Sequence, residues 1–207
     1  MAENEENKIN TEELKSEASN TVNQVKDTIK KVDIKKDSVE TKGFVMEMFK
    51  NPLEKIKEVA EDTKGKYLKY AIIVLVIWVA AKFLSRCFAI GWYWRPYNIF
   101  ENMWSIGVAT ITPLLSILVM VLIAFILNKK NKKPLTTVIS AVTIANIPTV
   151  VASVVSLLTI ISSQVSLITI PFASLCSVLS IVLTYFALIT SPSLNFIAFI
   201  GILSFII

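Results

Sequence analysis

The last 74 residues, Pro134 to Ile207, contain no Lys, Arg, Asp, Glu or His. A water-soluble domain of that size keeps charge on its surface, so this stretch must face lipid or other apolar helices. Extending the window back to Asn102 adds only four charged side chains, all in Lys129-Lys130-Asn131-Lys132-Lys133. The chain is expected to be all-α: a polytopic helical membrane protein with five transmembrane helices behind a cytoplasmic amphipathic helical arm.

Length identifies the spans, since a helix needs about 20 residues to cross a hydrocarbon core of about 30 Å. Five apolar segments qualify as helices, over about 68–88, 105–127, 135–161, 165–189 and 194–207. Their Val, Ile and Thr content would favour strands in water. Runs this long without turn signals are not strands, and membrane barrels alternate polar with apolar residues, which these do not. Only Ser162-Ser163-Gln164 separates the third segment from the fourth, which predicts a tight antiparallel hairpin. The fifth is short: 14 residues rise about 21 Å, and the reading favours a chain that continues past Ile207.

Lysine placement sets the orientation. Lys50, Lys55, Lys57, Lys64, Lys66 and Lys69 lie near the start of the first span, and Lys129, Lys130, Lys132 and Lys133 fill the loop after the second. The opposite side holds Lys82, Arg86 and Arg95. The positive-inside rule then puts the N-terminus in the cytoplasm of a multi-pass cell-membrane protein and the C-terminus outside. Trp92, Tyr93, Trp94, Tyr97 and Trp104 would anchor the outer interface, with Tyr67 and Tyr70 at the inner one. The overall charge of +5 is not a nucleic-acid signature, because residues 67–207 carry eight bases against Glu101 while residues 1–66 carry 15 acids against 13 lysines.

The first 66 residues divide into a charged arm, 1–43, and an interfacial amphipathic helix, 44–66, ahead of the membrane domain, 67–207. Residues 1–20 read as a disordered acidic start. Ala18, Val22, Val25, Ile29 and Val32 then recur at helical spacing, a weak amphipathic stripe that could also pair with a partner as a short coiled coil. Gly43 interrupts the pattern. Asn51-Pro52-Leu53-Glu54 carries a cap residue, Pro at the first helical position and an acid three residues after the cap, so a helix should begin there. Its apolar face, Leu53, Ile56, Val59 and Ala60, should lie in the headgroup plane.

Few residues in the spans could carry chemistry. Lys82 and Arg86 share a helical face near the outer end of the first span; snorkelling towards water is favoured over a lipid-phosphate contact. Pro113, Pro148 and Pro171 fall inside spans two, three and four, and Asn146-Ile147-Pro148 is the most polar mid-membrane spot. A kinked packing site is favoured there over a substrate site, which usually adds ionisable groups or glycine breaks. Small residues mark two stripes, Thr137, Ala141, Ala145, Thr149, Ala152 and Ser156 in span three and Ser166, Thr169, Ala173, Ser177, Ser180 and Thr184 in span four. Close backbone approach along them should form the hairpin interface. The chain has no histidine, no HExxH, GxSxG or P-loop, and its two cysteines, Cys87 and Cys176, form no CxxC. No catalytic residue, metal or cofactor is expected.

Phe49-Lys50-Asn51-Pro52-Leu53-Glu54 before the first span, and the lysine loop running into Pro134-Leu135-Thr136-Thr137-Val138-Ile139-Ser140 and Ala145-Asn146-Ile147-Pro148, resemble the Yip family, bacterial branch. That family comprises five-span membrane proteins whose eukaryotic members act in vesicle traffic through Rab GTPases. The resemblance covers residues 44–207. The chain lacks the family's glycine-rich loop and the Tyr-Ser-type residues before that proline. It implies a cytoplasmic N-terminus and an external C-terminus, but carries no Rab-linked role to a bacterial chain. The expected function is a non-enzymatic scaffold or regulator whose contacts are the lipid bilayer and a protein partner of the N-terminal arm. The alternative is a small transporter or permease subunit with a site near Asn146 and Pro148.

Overall fold

A computed structural model describes residues 2–92, 99–127, 133–160 and 166–188. Every regular element among them is a helix: α1 (Ala2–Lys31), α2 (Ile34–Lys50), α3 (Pro52–Glu61), α4 (Leu68–Trp92), α5 (Ile99–Leu127), α6 (Leu135–Ala145), α7 (Ile147–Val155) with a 3₁₀ extension over Ser156–Ile160, and α8 (Ser166–Leu188). Three helices are long and apolar enough to cross a membrane, over Leu68–Ala89, Ile99–Ala124 and Leu167–Ala187, and α6 with α7 makes a fourth if the bent pair is one span. The predicted fifth span, 194–207, and the 162–164 hairpin turn lie outside the described residues.

Exposed apolar surface distinguishes these helices. Only 17% of the most apolar window of α5 is buried inside the protein, and Ile111, Leu114, Leu115, Leu118 and Leu122 point outward. Such a surface is unstable in water and natural in hydrocarbon. α6 is the opposite case: every residue from Ser140 to Pro148 is buried, and α3, α4, α5 and α8 all pack around it. The small-residue stripe predicted on one side of span three is, over α6, part of a helix covered on all sides. Thr, Ser and Ala there allow four neighbours to approach a single backbone.

The amino-terminal region departs from the sequence reading in three places, the disordered start, Gly43 and the seating of α3. Residues 2–31 form one helix where a disordered start was expected; Glu and Lys are good helix formers, so an acidic opening does not preclude a helix. α2 runs straight through Gly43, where a side chain would meet open space. A mid-helix glycine costs about 1 kcal/mol, and burial of Phe44 and Met48 on the next turn outweighs it. The apolar stripe of α1 is split: Val22 and Ile29 are more than half exposed, while Val25 and Val32 are partly covered on the side of Thr21, which is buried with its hydroxyl bonded to the Glu17 carbonyl. Finally, α3 starts at Pro52 as expected, but Asn51 makes no side-chain cap. Its apolar face packs onto α6 and α8 rather than into headgroups, with Ile56, Val59 and Ala60 sealed and Leu53 left half exposed.

Candidate functional site

The segment predicted as the third span breaks at Asn146, where α6 and α7 meet at 41°. Pro148 lacks an N–H and sits in the first turn of α7, so it starts a helix instead of kinking one. The Asn146 amide turns back along its own helix, donating to the Val142 carbonyl at 2.8 Å and reaching the Met120 sulfur of α5 at 3.7 Å. Because that side chain is used backwards, it does not cap α7. The exposed first-turn donors find a partner across the interface instead. Thr149 donates to Ser180 Oγ of α8 twice, from its backbone N–H at 3.2 Å and from its hydroxyl at 2.8 Å. Ser180 thus serves as an N-cap supplied from another helix. Among the described residues three buried side-chain polar atoms, Trp78 Nε1, Asn102 Nδ2 and Thr143 Oγ1, have no hydrogen-bond partner.

The α7–α8 interface runs partly through the expected stripes. Thr169, Ser180 and Thr184 are buried, whereas Ser177 is exposed and Cys176 and Leu183 are buried beside that series. A 100° step per residue makes 176, 180, 183 and 187 one face, and packing chose it over the neighbouring all-small series.

At the end of the bundle where α3 lies, polar contacts fasten the amino-terminal helices to the spans. Lys69, in the first turn of α4, pairs with Glu40 at 2.6 Å and Asp37 at 3.3 Å on α2. Lys55 of α3 bridges Glu47 at 3.0 Å and Glu58 at 2.9 Å. The Tyr67 hydroxyl donates to Glu58, and Phe44 stacks on Tyr70 with centroids 4.9 Å apart. The hydrogen bond from Tyr67 and the charge of Lys55 hold the Glu58 carboxyl below its ordinary range, and burial followed by Glu58 pushes the Tyr67 phenol up to about 12.

The turn from α3 to α4 rests on Asp62, whose carboxylate accepts the Lys64 and Tyr67 backbone N–H groups. Gly65 follows at φ 72°, a left-handed position that suits glycine. α6 closes over this turn: Thr137 donates to the Asp62 carbonyl, Lys133 donates to the Ala60 carbonyl at 2.7 Å, and Glu17 accepts the Leu135 N–H at 3.3 Å. Burial pulls the Lys133 ammonium below its ordinary pKa. These pairs match charge to helix polarity, a cation at the carboxyl end of α3 and an anion at the amino end of α6.

The other predicted residues are dispersed. Pro113 is buried inside α5 and Pro171 is exposed on α8. Trp104 is 68% exposed. Trp92 ends α4, while Tyr93, Trp94, Tyr97, Lys129, Lys130 and Lys132 fall outside the described residues. Lys82 and Arg86 remain at the end of α4 away from α3, and Arg86 Nε donates to Ser105 Oγ of α5 at 2.5 Å. Among the described residues no cluster of metal-ligating side chains forms. The Thr149–Ser180 pair, Glu17 at α6 and the Arg86–Ser105 link escaped the sequence reading, since nothing local marks one hydroxyl or carboxylate as the partner of a distant donor.

Fold and site together define, over the described residues, an all-helical protein with three apolar helices long enough to cross a membrane, or four if the bent pair is one span, and an amino-terminal helical region packed on one end. No family model matches the chain, and neither a curated protein nor a solved structure matches it.

Proposed function

We propose that this chain is a non-enzymatic multi-pass protein of the cell membrane, Yip-like in layout, that acts as a scaffold or regulator through a cytoplasmic amino-terminal arm. One observation carries the reading: α1 is held on the bundle through Glu17 and the side of Thr21, and presents Val22 and Ile29 outward. A solvated helix gains nothing from such a stripe, whereas a partner helix would cover it. Photo-crosslinkers at Val22 and Ile29, used in native membranes, should capture one defined protein. Products with lipid alone would overturn the proposal.

In this reading the chain spans five times, with its N-terminus and lysine loop in the cytoplasm and its C-terminus outside. A cysteine at Asn131 should then react only with a reagent that enters the cytoplasm, and one at Ser163 should react from outside. Equal labelling of both from outside would exclude the arrangement.

A second reading, a small transporter or permease subunit, draws support from the bent third span and the unbonded Trp78 and Thr143 groups. Asn146→Ala separates the two: unchanged flux in vesicles with lowered bundle stability assigns the break to packing, and lost flux assigns it to transport.

A further inference from the structure

The seam between α4 and α5, at the end away from α3, is proposed here as a binding site for an anionic phospholipid. A groove of about 390 Å³ runs along it, lined by Leu75, Val79 and Phe83 of α4 and Thr110 and Leu114 of α5, with almost no polar surface. Val76 and Ala80 complete its α4 wall; Arg86 follows Val79 and Phe83 on that face one turn further on, and Lys82 stands level with Phe83 at the edge of the face, beside Val79. The eleven steps from Leu75 to Arg86 rise about 16 Å, close to one leaflet of a core of about 30 Å. An acyl chain lying in the groove therefore brings its phosphate to the level of the two cations.

The polar end is prepared for that charge. The guanidinium of Arg86 is held across the seam by Ser105, which leaves its other N–H groups for an oxyanion. Asn102, one turn before Ser105 on α5, has a buried amide nitrogen without a hydrogen-bond partner, a further donor at the same level. Among the described residues, two bases against the single acid Glu101 make this end of the bundle positive. A protein occupant would need its own complementary apolar helix and acid. A phospholipid supplies both chemistries in one molecule and is present wherever the spans are.

The inference rests on the membrane seating of the proposed function but not on its arm partner. Native mass spectrometry of the full chain in detergent, titrated with phosphatidylglycerol and with phosphatidylcholine of identical chains, tests it. Phosphatidylglycerol should be retained at least tenfold better, and Lys82→Gln with Arg86→Gln should reduce it to the phosphatidylcholine level. Arg86→Lys should recover part of the preference. Val79→Trp, which fills the groove and leaves the charges intact, should weaken both lipids. Equal retention of the two lipids by the unaltered chain would overturn the site, as would a preference that survives the double variant. Unimpaired phosphatidylglycerol binding by Val79→Trp, or its displacement by inorganic phosphate alone, would show a headgroup contact without a lipid groove and overturn it too. Circular dichroism melts confirm that each variant is folded, and capture of a partner from Val22 should be unaffected by any of them.

Discussion

Ile56→Asp should undock α3 from the bundle. Ile56 has no exposed surface and belongs to the core where α3 packs on α6 and α8. A carboxylate there would be buried without a partner, at a cost of several kcal/mol, and even Ile56→Ala should cost about 2–5 kcal/mol. Undocking would also separate Lys133 from the Ala60 carbonyl and Thr137 from the Asp62 carbonyl. Limited proteolysis of the purified protein should then cut rapidly between α2 and α4, while the spans stay intact. Leu53→Asp is the control: that residue is half exposed on the same helix, and its change should stay within about 0.5 kcal/mol. Equal protease resistance in Ile56→Asp and the unaltered chain would mean that α3 is not fastened by this face.

The second large effect is expected at Ser180. Its hydroxyl takes both donors of Thr149, so Ser180→Val leaves a backbone N–H and a hydroxyl unpaired at the start of α7 and adds volume at a site only 2% exposed. Hydrogen bonds between helices in lipid are worth about 1–2 kcal/mol at most, and overpacking adds about 1–3 kcal/mol. Ser180→Ala should therefore lose the smaller amount and Ser180→Val the sum. Equilibrium unfolding in mixed detergent would measure both, with Ser177→Ala, on the exposed side of the same turn, as the reference. Combining Ser180→Ala with Thr149→Val should cost less than the two single changes added together, because both remove one link. Additive losses would show that the hydroxyls act independently.

Much of the membrane domain was legible in advance because its signals are one-dimensional. Span length follows from 1.5 Å per residue, and α4 and α8 lie close to the expected ranges, while α5 begins six residues before its expected start at Ser105. The start of α3 at Pro52 was equally readable, since a proline's missing N–H is harmless only in the first turn. Asn146 and Pro148 were recognisable as the weak point of span three. Their effect was not: whether the helix kinks or ends depends on where the freed N–H groups go, and that was settled by Ser180, 31 residues away.

By itself the sequence determined which segments are apolar enough to enter a bilayer, how long they are, and which loops carry the charge. Tertiary structure decided which side of each helix meets protein. In water, burial and hydrophobicity rise together, so an apolar stripe points inward. In lipid both surroundings are apolar, and the sides of α6 that carry Thr, Ser and Ala lie at the centre while the leucines of α5 face out. α1, outside the spans, was placed by a directional contact: Glu17 accepts the Leu135 N–H at the amino end of α6, with Thr21 buried on the next turn and Val22 and Ile29 exposed.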